Sequence, residues 1–316
     1  MKQESSEHVV LKKEIILNLL YSEIFQHPLS KKEVVDFLQL KIEDDSSSFN
    51  QLLDELTQSG LIGCKEGYYY LFEENNKIHR RIAGNDKAHK LMPKAYKVAR
   101  FIHGFPFVQG VGISGSLSKG VMNDDGDFDF FIITQPNRLW IARTLLIVYK
   151  KLFLFNSKKY FCVNYFIDTN NLEIEEKNKF TATEIATLIP ASGSVLFKFY
   201  QTNSWIQTFY PNKAVLEPYS DVSKKPIFSR MIAFCLKGKL GEWFDEWFMK
   251  LTLRRWKNKF NEFDNQKFGL TMKSRKYVSK HHPNDFQNKV LNKYSELIEK
   301  YKLHYADQLN KQQIEL

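Results

Sequence analysis

Apolar and polar positions alternate differently along three stretches of the chain. In the first, apolar residues recur at helical spacing. Ile15, Ile16, Leu19 and Leu20 predict a helix over about 12–22. Ser30 with Glu33 forms a capping box that opens a second, Lys31–Leu40. Leu52, Leu53 and Leu56 share one face of a third, which starts at Ser48 and ends at Gly60. Two short runs, Leu61–Cys64 and Tyr68–Phe72, flank a Glu66-Gly67 turn and predict a hairpin.

The second stretch mixes both periods. Residues 77–103 read as a basic, helical connector. The pattern then predicts a strand at Val108–Ser114, a Gly115-Ser116 turn with a short helix, and a strand at Asp127–Thr134 stopped by Pro136. A helix at Arg138–Phe155 and a strand at Tyr160–Asp168 follow. That order implies an α/β (α+β) unit on a mixed sheet. In the third stretch Thr181-Ala-Thr-Glu184 reads as another capping box. Beyond it the pattern is largely helical, at about 193–209, 227–262 and 284–308. The expected division is 1–76, 77–180 and 181–316. The first unit, three helices and a hairpin, has the outline of a winged helix.

The chain has 316 residues, 43% apolar and 15% aromatic, which excludes a disordered chain. Cys64, Cys162 and Cys235 have no metal-type spacing and read as reduced thiols, so a cytoplasmic protein is expected. The N-terminus is polar, unlike a signal peptide. Trp140–Phe155 is apolar but carries Arg143, Lys150 and Lys151 and is too short to span a bilayer.

The formal charge of +10 is uneven. Residues 1–80 hold 9 Lys/Arg against 14 Asp/Glu, a net of −5; residues 221–300 hold 18 against 9, a net of +9. DNA contacts need Lys and Arg. The third helix offers Asp54 and Glu55 and the hairpin only Lys65, which counts against DNA binding by the N-terminal module. An anionic partner is expected at the C-terminal third, where Arg254, Arg255, Lys257 and Lys259 form a solvated face or a polyanion contact. Trp243, Phe244, Trp247, Phe248 and Leu251 form a helical stripe, read as core in preference to a membrane-surface face.

Candidate chemistry concentrates in Ile113–Thr134. On a strand, Asp127 and Asp129 point to one face, because side chains alternate. Paired carboxylates repel unless a cation lies between them. Asp129 sits among Phe128, Phe130, Phe131 and Ile132, where an unpartnered carboxylate is costly. Upstream, Gly115-Ser116 offers backbone N–H groups suited to a phosphate. Arg138 and Arg143 are secondary phosphate candidates, with ion-pair or surface roles as the rival reading. His281-His282-Pro283 is a poor ligand pair, since adjacent His side chains do not face one metal.

An apolar strand, Gly115-Ser116, a ten-residue spacer and Asp127-Phe-Asp129-Phe resemble the signature of the DNA polymerase beta-type nucleotidyltransferase superfamily. With Cys162-Val-Asn-Tyr-Phe166, Phe180-Thr-Ala182, Tyr210-Pro-Asn212 and the N-terminal module, most of the chain is similar to a little-characterised bacterial family carrying that domain. The resemblance implies a nucleotidyltransferase mixed sheet, preceded by a winged-helix-like module and followed by a mainly helical, basic region. It implies transfer of a nucleoside monophosphate from an NTP such as ATP to a hydroxyl of an unknown acceptor: RNA, a small molecule or a protein. Asp127 and Asp129 would hold Mg²⁺ or Mn²⁺. Gly115, Ser116, Ser118 and Lys119 would meet the triphosphate. A third carboxylate is expected on the neighbouring strand, where Asn164 and Asp168 are the candidates, about 13 Å apart. Asp168 would complete a catalytic triad; Asn164 would line the nucleotide site without supplying a base. In that case a catalytically silent nucleotide-binding protein is the alternative. A winged-helix DNA regulator is the third reading.

Overall fold

The chain builds a six-stranded and a three-stranded sheet in the computed structural model, which describes residues 2–42, 46–157, 159–214, 225–281 and 284–316. It begins with α1 (Lys2–Glu23), β1 (Leu29–Ser30), α2 (Lys31–Asp36), α3 (Ser46–Gln58), β2 (Gly63–Lys65) and β3 (Tyr68–Tyr70). Ser30 and Glu33 do form a reciprocal capping box on α2. The two-residue β1 is too short to show as alternation, yet it pairs with β3 and completes a sheet of order β1-β3-β2.

The middle of the chain supplies α4 (Lys77–His103), β4 (Val108–Ser114), α5 (Gly115–Ser118), β5 (Asp129–Thr134), α6 (Leu139–Phe153) and β6 (Cys162–Asp168). The acid strand thus starts at Asp129, and Asp127 lies in the loop before it, not on the strand as expected. The remainder runs α7 (Lys179–Thr187), β7 (Ile189–Ser192), α8 (Val195–Thr202), a 3-10 turn (Ser204–Thr208), α9 (Ile227–Cys235) and α10 (Gly238–Lys259). It ends with α11 (Asn265–Thr271), β8 (Ser274–Arg275), β9 (Val278–Lys280), α12 (Phe286–His304) and α13 (Ala306–Lys311). A single helix over 227–262 is interrupted at Gly238, whose φ of +60° is left-handed.

The large sheet has the order β7-β4-β5-β6-β9-β8 and is mixed: β5 and β6 are parallel and the other pairs antiparallel. Residues 181–316, expected to be mainly helical, are so, but they are also woven into the central sheet. They supply three strands of the central sheet. Each is only two to four residues long, too short for a period to emerge. Pro190 fits because β7 is an edge strand.

Alternation sorts the sheet's two faces. Val111, Ile113, Phe130, Ile132, Val163 and Phe166 pack under α4, α6 and α10, with Trp140 at the centre. Phe131, Ile133, Ile167 and Val278 face α7, α8 and Tyr210. A third core joins the chain's ends: Ile16, Leu20, Leu53 and Leu61 pack with Leu297, Tyr301, Leu309 and Ile314. The N-terminal module thus shares its core with α12, α13 and the residues after them.

Glu33 ties that module to α4. Its carboxylate accepts from Arg81 at 2.6 Å and from the Ser30 N–H at 2.8 Å. Burial alone would raise its pKa, but His27, Arg81 and Ser30 together hold it down at about 2. Burial also depresses His27 below its ordinary 6.5. Both folded-state values lie below the unfolded ones, so both groups stabilise the fold at neutral pH. Stability should fall as pH drops from about 6.5 toward 2, with Glu33 accounting for on the order of 2–3 kcal/mol. Thermal melts across that range should show a flatter acid limb for Glu33→Gln; an unchanged limb would refute this assignment.

Candidate active site

On the α7/α8 face of the sheet lies a cavity of about 740 Å³. Its floor is the β4–α5 turn and the start of β5. Gly115 there has φ +71°, and a Cβ on it would sit 2.4 Å from Asp129 Oδ2. Only glycine permits this approach of turn and carboxylate. Ser114 opposite Asp129 fixes the register, and its side chain does not cap α5. Ser116 lines the cavity beside it.

Asp129 is mostly withdrawn from water. Burial raises its pKa to about 6, and Asp127 and Glu184 push the same way; the Cys162 thiol and Lys119 oppose them. Asp127 therefore stands close to Asp129, although it is half-buried in the loop and does not line the cavity. Burial, with Asp129 next to it, raises the Cys162 thiol to about 12. Asn164 Nδ2 donates to Cys162 Sγ at 2.9 Å, so Asn164, Cys162 and Asp129 form one chain of contacts.

A bulge in β6 decides the third position. Phe130 pairs with Val163 but Phe131 with Tyr165, which leaves Asn164 as the extra residue. Asn164 and Tyr165 both reach the cavity, and Phe166 turns to the opposite core. Simple alternation would have kept Cys162, Asn164, Phe166 and Asp168 together. Asp168 instead pairs with Thr134 at the far end of β5, five residues from Asp129. Its Oδ1 accepts from the Asn170 N–H and the Asn171 amide at 3.0 and 2.8 Å. It is a turn former there and does not join Asp127 and Asp129.

Glu184 is the residue that sequence reasoning missed. Asn178, not Thr181, caps α7, accepting from the Thr181 N–H at 3.0 Å. Glu184 consequently lies in the helix interior, lines the cavity and pairs with Lys119 at 2.9 Å. Lys119 also donates to the Gly115 carbonyl at 3.2 Å, and the Ser118 hydroxyl donates to the same oxygen at 2.9 Å. Ser118 thus braces the turn with its side chain, and Lys119 bridges turn and α7.

The N-terminal module closes the cavity with Tyr21, His27 and Phe37. Asn212 fastens it there: its amide donates to the Leu40 and Val35 carbonyls, and its Oδ1 accepts from the Ile42 N–H. Tyr210 packs edge-on to Phe37 at 5.2 Å and shares a 2.6 Å hydrogen bond with Thr183. Tyr210-Pro-Asn212 therefore serves as the joint between module and core.

The remaining candidates lie elsewhere. Arg138 donates to the Asn137, Leu236 and Gly238 carbonyls. Arg143 is buried between Trp140 and Trp256, which lowers its pKa to about 10. Both support α6 across the sheet from the cavity. His281 packs against Trp256, with ring centroids 4.9 Å apart; His282 and Pro283 lie outside the described residues. Arg254, Arg255, Lys257 and Lys259 are exposed on α10, which packs on α6. These α10 cations thus lie on the face opposite the cavity, whereas Lys280 of the same basic third lines it.

Among the described residues no three His, Cys, Asp or Glu side chains form a ready metal cage. Asp129 at the cavity and Asp127 close to it are the kind of oxygen donors Mg²⁺ takes, since that ion commonly uses one or two protein carboxylates and completes its shell with phosphate and water. Among the described residues no helix is long and apolar enough to cross a membrane. No family model, curated protein or solved structure matches this chain.

Proposed function

We propose that this chain is a nucleotidyltransferase that moves a nucleoside monophosphate from an NTP to the hydroxyl of a small acceptor. The observation that supports it most is the Cβ-free Gly115 against Asp129, which sets the β4–α5 turn beside a half-buried acid in the wall of a cavity. Ser116 would donate its N–H or hydroxyl to a phosphate oxygen of the triphosphate. Asp127 and Asp129 would hold Mg²⁺ or Mn²⁺, which neutralises charge on the phosphate oxygens when bound. The acceptor oxygen would bond to the α-phosphorus as the α–β bridge breaks, and pyrophosphate would leave with the electron pair. The acceptor's proton would pass to Glu184, the further acid whose field reaches Asp129. Glu184 is itself paired with Lys119, as Glu33 is with Arg81 and Glu176 with Lys273; what singles it out is that its charge acts on Asp129.

A cavity of about 740 Å³, closed on one side by the N-terminal module, favours a small acceptor over a polyanion. The module's element order, helix-strand-helix-helix-strand-strand, supports a winged-helix-like reading, with wall building rather than DNA contact as its role. A second reading is nucleotide binding without turnover, favoured by Cys162 and Asn164 standing where a third acid was expected.

Incubation with each labelled NTP, Mg²⁺ or Mn²⁺ and a small-molecule extract separates the two. Label on an acceptor with pyrophosphate release supports transfer; binding alone supports the silent form. Glu184→Gln should lower kcat by about a hundredfold or more with little change in NTP affinity. Unchanged kcat would remove Glu184 from the mechanism.

A further inference from the structure

We infer that α9 and the start of α10 form a docking surface for anionic phospholipid. The helical stripe on α9 is turned outward: Ile227, Phe228, Met231 and Phe234 are 74, 72, 61 and 70% exposed. These residues follow each other at helical spacing, so they share one side of the helix. Two residues separate α9 from α10, whose Leu240, Trp243 and Trp247 are 55, 59 and 46% exposed. The Trp stripe therefore divides. Phe244 and Phe248 pack on the core, while both tryptophans face away from it. Contiguous exposure on this scale marks an interaction surface.

Charge identifies the occupant. From Pro226 to Phe260 the exposed cations are Arg230, Lys237, Lys239, Lys250, Arg254, Arg255, Lys257 and Lys259, against Glu242 and Glu246. Lys237 lies over the Phe234 ring at 5.1 Å, so apolar and cationic groups are interleaved. A second copy meeting this face would bring like charges together. An anionic membrane surface accepts both features: Trp and Phe enter the headgroup boundary, and Lys and Arg meet lipid phosphates. The attachment is peripheral, since no described helix can cross a bilayer. The cavity opens on the other face of the sheet and need not be blocked by docking.

The test uses the full chain with vesicles of phosphatidylcholine alone or mixed with phosphatidylglycerol. Cosedimentation is expected only with the mixed vesicles, with a blue shift of tryptophan emission and weakening as salt rises. Phe228→Ser with Phe234→Ser should reduce binding by about tenfold or more without lowering the melting temperature. Trp243→Phe and Trp247→Phe should each remove part of the blue shift. Absence of binding to anionic vesicles, or binding untouched by the Ser pair, overturns the inference. So does a dimer in sedimentation velocity that the Ser pair dissociates, which would give the face to a second copy. Retention on an acidic protein in place of vesicles would overturn it equally.

Discussion

Replacing Asp127 and Asp129 together by Asn should lower nucleotide transfer on the order of a thousandfold while the protein stays folded. Electrostatic stabilisation of phosphoryl transfer is worth several kcal/mol, and each 1.4 kcal/mol is a tenfold rate change. The fold should tolerate the change because these acids do not hold it together. Asp129 is half-buried beside a second carboxylate, with Glu184 adding to the repulsion and Lys119 the main opposing charge. Asn keeps the shape and removes that repulsion, so the melting temperature should hold or rise. The same variant should lose the part of NTP affinity that depends on added Mg²⁺. Full turnover in a folded double variant would falsify the proposed active site.

Gly115→Ala offers an independent check of the same geometry. A methyl there would meet Asp129 Oδ2 at 2.4 Å in a left-handed backbone. Turn and acid must separate, so NTP affinity should fall by about tenfold or more even though no charge is removed. Retained affinity would show that the close approach of Gly115 and Asp129 is not needed for nucleotide binding.

The turn and the acid strand could be read from the sequence because they are local. Val108–Ser114 reads as an apolar strand despite its irregular pairing, Gly115 is the one residue suited to its φ, and Asp129 stands out within an apolar run. What could not be read depends on distant pairing. The bulge at Asn164 exists only because β6 must match β5, so the face of every later residue on that strand changes. Glu184 was hidden by a local ambiguity: Thr181 and Asn178 are both good caps, and the fold uses Asn178. The strands β7, β8 and β9 take their conformation from the sheet they join, not from their own two to four residues. Charge counting located the basic third in the chain but could not say that it divides, with the α10 cations on one side of the sheet and Lys280 at the cavity on the other.

Tyr301→Ala should be among the most damaging single substitutions outside the site, at about 3–5 kcal/mol. Tyr301 is fully buried in the core shared by the two chain ends. Its ring lies 5.9 Å from Phe72 and 4.5 Å from Tyr305, and its hydroxyl donates to the Leu61 carbonyl at 2.5 Å. Tyr301→Phe keeps the ring and leaves that carbonyl unpaired, which costs about 1–3 kcal/mol. The difference between the two variants therefore reports packing rather than hydrogen bonding. The effect should reach the cavity. Tyr21 of α1 and Phe286 of α12 line it, and Tyr21 meets Tyr294 of α12 at 5.5 Å. Loosening α12 from the module should thus raise KM for NTP in Tyr301→Phe, a variant stable enough to assay. By the same logic residues 1–76 made alone should lack a cooperative thermal transition, because Leu297, Tyr301, Leu309 and Ile314 complete their core. A cooperative melt of that fragment, or equal losses for Ala and Phe at position 301, would make the module self-sufficient and sever this link between the chain's end and its site.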